Sequence, residues 1–226
     1  MSKNEIASSR ATEKRAEIVS AAVAVLKKGG VIVLPTETLY GLGADALDPA
    51  AVDRVFQLKG RDPGNPMPVL VANREMLGSL VAAVSPLAEQ LMQNFWPGPL
   101  TLVLPARRDV PRPLLNSSGG IGVRISSQPM ASEIVQAFGR PLTATSANPS
   151  GLPPARTIEQ ARNYFAGAID IFIDGGELVS QTGSTVAEII GDKIRIIREG
   201  EIGRDQLQRI YGKDALIACD ETGYLR

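Results

Sequence analysis

The chain has 226 residues, 44% of them apolar, and carries 24 Lys and Arg against 24 Asp and Glu. That length fills one α/β domain around a single core, and the balanced charge leaves no global field to attract nucleic acid. Histidine is absent and Cys219 is the single cysteine, which excludes Ser-His-Asp chemistry, histidine bases, histidine or cysteine-rich metal sites and internal disulfides.

Residues 1–12 are polar and are expected to form a flexible N-terminus without an apolar signal region. Their glutamates argue against a transit peptide, so a reducing cytoplasm is the expected location. The apolar spacing of "EKRAEIVSAAVAVLKKGG" predicts a helix stopped by paired Lys and paired Gly. "VIVLP" then reads as a buried strand, and "PTETLYGLG" as a hydroxyl-rich loop. Asp48-Pro49 is an N-cap followed by proline at the first helical position. It opens the helix "PAAVDRVFQLKG", which delivers Lys59 at its end.

Further strands are predicted over 67–72, 100–105, 121–125, 141–145, 169–174, 184–190 and 193–198. The last two are joined by "GD", a two-residue hairpin signal. Helices are predicted in "SPLAEQLMQNFW", "QPMASEIVQAFG", "GRDQLQRIYG" and "TIEQARNYFAG", where Thr157 and Gln160 make a capping box. No stretch approaches the roughly 18 uncharged apolar residues of a membrane span, so no membrane partner is expected. Alternation of strands and helices with one hairpin predicts a three-layer α/β fold, a twisted sheet of parallel and antiparallel strands flanked by helices. The expected division is 1–12 as a flexible N-terminus, 13–211 as one folded domain and 212–226 as a C-terminal tail.

Four segments carry the polar groups that a binding site needs. "GLGADA" formally matches the dinucleotide fingerprint G-x-G-x-x-A, but the next helix starts later, at Asp48-Pro49, so that reading is rejected. "PTET" places Thr36, Glu37 and Thr38 at the mouth of the sheet, either as ligand contacts or as a turn satisfying its own backbone. "KGRDPGNP" holds an ammonium, a guanidinium and an amide, Lys59, Arg61 and Asn65, between glycine and proline turns. It reads as a helix end with a surface loop, or as a grip for a polyphosphate. "TATSANPSG" offers Ser146, Asn148 and Ser150 after a strand, as an Asx/Ser turn or as a neutral cradle for phosphate or a base edge. Arg124 and Arg198, each ending a strand, could converge with Arg61 on an anion.

Taken in order, "GGVIVLPTETLYGLGADALDPAAVDRVFQLKGR", "NPMPVLV", "FWPGPLTLVL", "IGVRI", "PLTATSANPSG", "IDGG", "STV" and "IIREG" closely resemble the YrdC-type threonylcarbamoyl-AMP synthases, in their single-domain form, over about residues 15–205. The resemblance implies a YrdC-like fold with a cationic concavity. It also implies a nucleotidyltransferase that joins L-threonine, bicarbonate and ATP into threonylcarbamoyl-AMP and pyrophosphate. The product would pass to a tRNA threonylcarbamoyl-transferase machinery that modifies adenosine at position 37 of tRNA. Residue by residue, it implies Lys59, Arg61, Asn65, Ser146, Asn148 and Arg198 for ATP, with Lys59 and Arg61 as the catalytic cations. Thr38, Arg124, Ala144 and Ser184 would serve threonine. Mg²⁺ is expected to arrive with ATP, with no protein metal site and no organic cofactor. The chain departs from the family pattern at Leu70, where many members have histidine, at Pro154, where a serine is usual, at Gly183, which replaces a glutamate, and at Glu199, which replaces a proline. A competing expectation is a non-catalytic module that uses the same cations to contact tRNA or double-stranded RNA.

Overall fold

A computed structural model describes residues 3–217, with side chains from residue 13 onward. Helix α1 spans Lys3–Leu26, so helix rather than a loose terminus occupies residues 3–12, a stretch without the Gly or Pro that would break it. Strand β1, Ile32–Pro35, is buried along its whole length. Its side chains alternate between two cores, Val33 facing one and Ile32 and Leu34 the other, as the two-residue period of a strand requires.

The segment "PTETLYGLG" is a hairpin, where the sequence predicted only a loop. Thr36–Leu39 turn the chain, and β2, Tyr40–Gly43, returns antiparallel to β1 with Pro35 opposite Tyr40 and Ile32 opposite Gly43. A Cβ at Gly43 would sit 2.9 Å from Leu34 Cδ2 and 3.2 Å from Ile32 Cγ1. Close packing on β1, and no dinucleotide turn, therefore accounts for this glycine.

Helix α2, Pro49–Lys59, follows with Asp48 accepting from the Ala50 amide, as the Asp-Pro start predicts. The strand expected over 67–72 shrinks to β3, Val69–Leu70, because Pro66 and Pro68 have no N–H to give to a ladder. A short helix α3, Arg74–Gly78, capped by Asn73, occurs where none was predicted. The chain continues through α4 (Pro86–Phe95), β4 (Leu100–Pro105), a 3₁₀ turn at Arg112–Leu114, β5 (Gly120–Arg124) and α5 (Pro129–Phe138). Strands β6 (Leu142–Thr143) and β7 (Thr145–Ser146) precede α6 (Ile158–Phe165), whose capping box is formed as predicted, and β8 (Ile171–Phe172). The hairpin β9 (Thr185–Ile190) and β10 (Lys193–Arg198) leads to α7 (Arg204–Tyr211).

The α/β architecture with mixed strand directions is as expected, but the hydrogen bonding separates two sheets. One has the order β7-β2-β1-β8 and the other β10-β9-β4-β5-β3-β6. They meet at Leu142–Ser146, which is β6 in the second sheet and, one residue later, β7 in the first; Ala144 is the joint, its amide donating to the Pro68 carbonyl at 2.8 Å. Two cores lie against these strands. The larger packs Val33 and Leu42 with Leu100, Leu102 and Val123, and with α2, α4 and α6 through Val52, Leu91 and Ala161. The smaller packs Ile32, Leu34 and Leu70 with Ala22, Leu26, Ile134 and Phe138 of α1 and α5.

Among the described residues, no helix is long and apolar enough to cross a membrane. Past α7 the sequence shows no pattern, yet Leu216 is buried and the Ile217 amide donates to the Ile194 carbonyl at 2.9 Å. Residues 218–226 lie outside the described residues.

Tyr40, fully buried on β2, ties this hairpin to the "IDGG" segment. Its hydroxyl donates to the Gly176 carbonyl and accepts from the Gly175 amide, both at 2.8 Å. Tyr40→Phe leaves both partners without their bond, and the expected loss is about 1–3 kcal/mol, read as a lower urea midpoint at unchanged slope.

Candidate active site

Helix α2 ends where Gly60 adopts the left-handed conformation, φ 57°, which turns the chain sharply after Lys59. The Lys59 side chain folds inward, only 3% exposed. Its ammonium donates to the carbonyls of Ser146 (2.6 Å) and Asn148 (2.7 Å), and more weakly to Asn148 Oδ1 at 3.4 Å. The return bond, from the Ser150 amide to the Lys59 carbonyl at 2.7 Å, locks the two segments together. Arg61 is held by the loop behind it, Nε donating to the Asn65 carbonyl (2.8 Å) and Nη2 to the Pro66 carbonyl (3.0 Å). The loop is itself shaped by Asp62, whose carboxylate accepts from the Gly64 amide and whose carbonyl accepts from the Asn65 amide.

The turn between β1 and β2 supplies the opposite wall. Thr36 Oγ1 donates to the Leu39 carbonyl at 2.7 Å and accepts the amides of Thr38 and Leu39. It therefore satisfies the turn's backbone and leaves Glu37 and Thr38 to face the end of β5. Arg124, 6% exposed, donates from Nη1 to Glu37 Oε1 at 3.1 Å and to Thr38 Oγ1 at 3.2 Å. The second carboxylate oxygen of Glu37 accepts from Ser126 Oγ.

A third group comes from the β9–β10 hairpin. The pairing of β10 slips by one residue between Ile196, opposite Ala187, and Arg198, opposite Val186. Such a bulge re-aims the side chain beyond it. Arg198 Nη2 then donates to the Ser184 carbonyl at 2.8 Å and to Ser184 Oγ at 3.3 Å, while Ser184 Oγ shares a 2.8 Å hydrogen bond with Thr101 Oγ1 of β4. Gly183 stands beside this guanidinium, and a Cβ there would come within 3.2 Å of Arg198 Nη2. Glu199 accepts from the Arg204 amide at 2.9 Å and so caps α7.

These groups share one electrostatic field. Burial lowers the Arg198 pKa, and the charges of Arg124 and Arg61 lower it further. Lys59 is pushed down to about 8, by burial first and by Arg61 second. Burial likewise lowers Arg124, and Glu37 pulls it back up. Among the described residues, Glu37 is the one carboxylate paired with any of these four cations. Lys59, Arg61 and Arg198 rest on backbone carbonyls, which orient them without neutralising them. Such a cluster of cations suits a ligand with several negative charges. No group of three or more His, Cys, Asp or Glu side chains that could hold a metal ion occurs among the described residues.

The residues singled out in the sequence are placed unequally. Lys59, Arg61, Arg124 and Arg198 come within reach of one another's fields, with Thr38 on Arg124 and Ser184 on Arg198. Ala144 and Ser146 lie on the strand that joins the sheets, with the Ser146 carbonyl on Lys59. The Asn148 amide is spent inside its own loop, donating to the carbonyls of Pro149 (2.9 Å) and Leu152 (2.7 Å). Asn65 is exposed, and its carbonyl rather than its side chain orients Arg61. Leu70 belongs to the core against α5, and Pro154 is exposed. Ser126 and Thr101 were not singled out. Ser126 lies two residues past Arg124, the spacing that puts it on the same side of an extended chain, and Thr101 is the one hydroxyl in "LTLVLP".

Residues 24–200 match the Sua5/YciO/YrdC family model, described as telomere recombination. The chain is 36% identical to a threonylcarbamoyl-AMP synthase of Pyrococcus abyssi, over 85% of its own length and 56% of that protein's. It is 37% identical to a threonylcarbamoyl-AMP synthase of Thiobacillus denitrificans, over 76% of its own length and 90% of the other's. The crystal structure of P. abyssi Sua5 complexed with L-threonine superimposes with a TM-score of 0.84 at 35% identity, covering 88% of this chain and 58% of that one. The chain thus spans little more than half the length of the archaeal relative.

The depressed Lys59 pKa gives a test with a definite sign. In the folded chain Lys59 loses its proton near pH 8, against 10.5 for the unperturbed group. The unfolded chain therefore binds more protons between these values, and stability rises with pH across that window. A nearby negative charge favours a protonated ammonium, so an anion bound beside Arg61 and Lys59 is expected to restore the proton. Calorimetric titration of ATP in buffers of different ionisation enthalpy should show proton uptake at pH 8.5 and much less at pH 7, and Lys59→Met should abolish the difference.

Proposed function

The chain belongs to the Sua5/YciO/YrdC family, and we propose that it is an L-threonylcarbamoyladenylate synthase, supplying the threonylcarbamoyl group for modification at position 37 of tRNA. The observation that carries this reading is the clustering of Lys59, Arg61, Arg124 and Arg198, linked by their mutual electrostatic effects, three of them without a carboxylate partner among the described residues. Threonine is assigned to Thr38, Arg124, Ala144 and Ser184, with Arg124 taking its carboxylate. ATP is assigned to Lys59, Arg61, Asn65, Ser146, Asn148 and Arg198, with Mg²⁺ arriving on its phosphates.

The chemistry suits a site without histidine. The threonine amine and bicarbonate give a carbamate and water. A carbamate oxygen then attacks the α-phosphorus of ATP, and the bond to the β-phosphate oxygen breaks, releasing pyrophosphate. No protein nucleophile is needed. Alignment of the two substrates and cations facing the pyrophosphate's developing charge supply the acceleration. Asn148 and Asp62 act through the loops they shape, the first holding the Lys59 acceptors and the second the Arg61 cradle.

The deciding experiment is pyrophosphate release from ATP, expected only when L-threonine and bicarbonate are both present. L-Valine should be used about 10⁴-fold less well, as expected for a site that hydrogen-bonds the threonine hydroxyl. Equal release with valine overturns the assignment. Tight duplex RNA binding that weakens steeply with salt, without nucleotide turnover, would instead support an RNA-binding module. Arg61, which touches only carbonyls of its own loop, isolates the phosphate grip. Arg61→Ala should lower ATP turnover about a hundredfold or more with the thermal midpoint essentially unchanged.

A further inference from the structure

Arg124 divides its guanidinium between the protein and the concavity. Both of its hydrogen bonds, to Glu37 Oε1 and Thr38 Oγ1, leave from Nη1. Among the described residues Nε and Nη2 make none, and neither is among the buried side-chain atoms without a partner, where Arg195 Nε alone is found. In a residue 6% exposed, these two nitrogens therefore keep the residue's remaining access to solvent and to a ligand. Nε and Nη2 form one fork of the guanidinium, the spacing that accepts both oxygens of a carboxylate at once.

What fixes that fork is the carboxylate behind it. Glu37 is held in turn by Ser126 Oγ on its other oxygen, and its backbone lies in a turn tied by Thr36. We infer that Glu37 is a positioning residue, the centre of a Ser126–Glu37–Arg124 relay that presents the Nε–Nη2 edge of Arg124 to the carboxylate of the amino-acid substrate. This inference rests on the synthase reading for the identity of that substrate.

Two effects of Glu37 oppose each other, and their balance decides the sign of the test. As an anion it weakens the field that an incoming carboxylate feels; as an acceptor it holds the fork in register. Arg124 acts on the charge of Arg198, so Arg198 adds positive field at Arg124 in return, whereas among the described residues Nη1 alone holds the guanidinium to the protein. Without Glu37, Thr38 Oγ1 is the one acceptor left to the guanidinium among the described residues, and bidentate recognition of a carboxylate depends on the register of the fork. Removal of Glu37 should therefore weaken amino-acid binding.

The test compares Glu37→Gln with the parent by calorimetric binding of L-threonine and, separately, of ATP, together with KM for each substrate. The expected result is weaker threonine binding by about tenfold or more, a matching rise in KM for threonine, and ATP binding and its KM within about twofold. Ser126→Ala, which frees one oxygen of Glu37 and removes no charge, should show the same selective effect in smaller degree. The double variant should fall short of the product of the two single effects, because both act on one relay. Unchanged or tighter threonine binding in Glu37→Gln, or equal losses for threonine and ATP, overturns the inference. If Glu37→Gln does not fold, Ser126→Ala decides by the same selectivity. A parent chain that fails to bind threonine at all overturns the synthase reading instead, so the two failures are distinguishable.

Discussion

The structure is organised around keeping like charges together. Two like unit charges 4 Å apart repel by about 4 kcal/mol at the effective dielectric near a protein surface, and by less at greater separation, so the mutual effects among Lys59, Arg61, Arg124 and Arg198 are a standing repulsion that the rest of the chain must offset. It does so mainly with backbone carbonyls: Ser146 and Asn148 for Lys59, Asn65 and Pro66 for Arg61, Ser184 for Arg198. Carbonyl dipoles orient a cation while leaving its net charge available to a ligand, which a carboxylate would not. Glu37 is the exception, and it is set behind Arg124, the most buried guanidinium of the three.

Each cation reaches the hollow because an element ends there. Helix α2 stops at a left-handed Gly60, β5 ends at Arg124, and β10 slips register just before Arg198. Termini free main-chain carbonyls from secondary structure, and those carbonyls then become the seats of the charged side chains. Fold and site are thus linked at the level of individual hydrogen bonds. Asn65 and Asn148 also take part in the seating, their carbonyls accepting from Arg61 and Lys59.

Much of this was legible in the sequence, and the failures have identifiable causes. The helices with strong punctuation, Asp48-Pro49 and Thr157 with Gln160, start where their caps predict, because capping is local and needs no tertiary partner. The hairpin β1–β2 was missed because "YGLG" offers two glycines where a strand signal wants β-branched residues; packing against Ile32 and Leu34 overrides that preference. Strand β3 was predicted too long because its flanking prolines were not weighed as missing donors. The cations of the site could be named from residue type and position at element ends. Their anchors could not, since carbonyl groups are identical at every residue and only folding decides which ones meet.

Leu142–Ser146 is a single extended stretch woven into both sheets, with Ala144 as the crossing point. Its far end carries the Ser146 carbonyl on which Lys59 rests, and its near end is bonded to the strand beside β5. One continuous stretch of chain thus couples the seat of Lys59 to the strand beside β5, so a displacement of either sheet is passed to the other through Ala144.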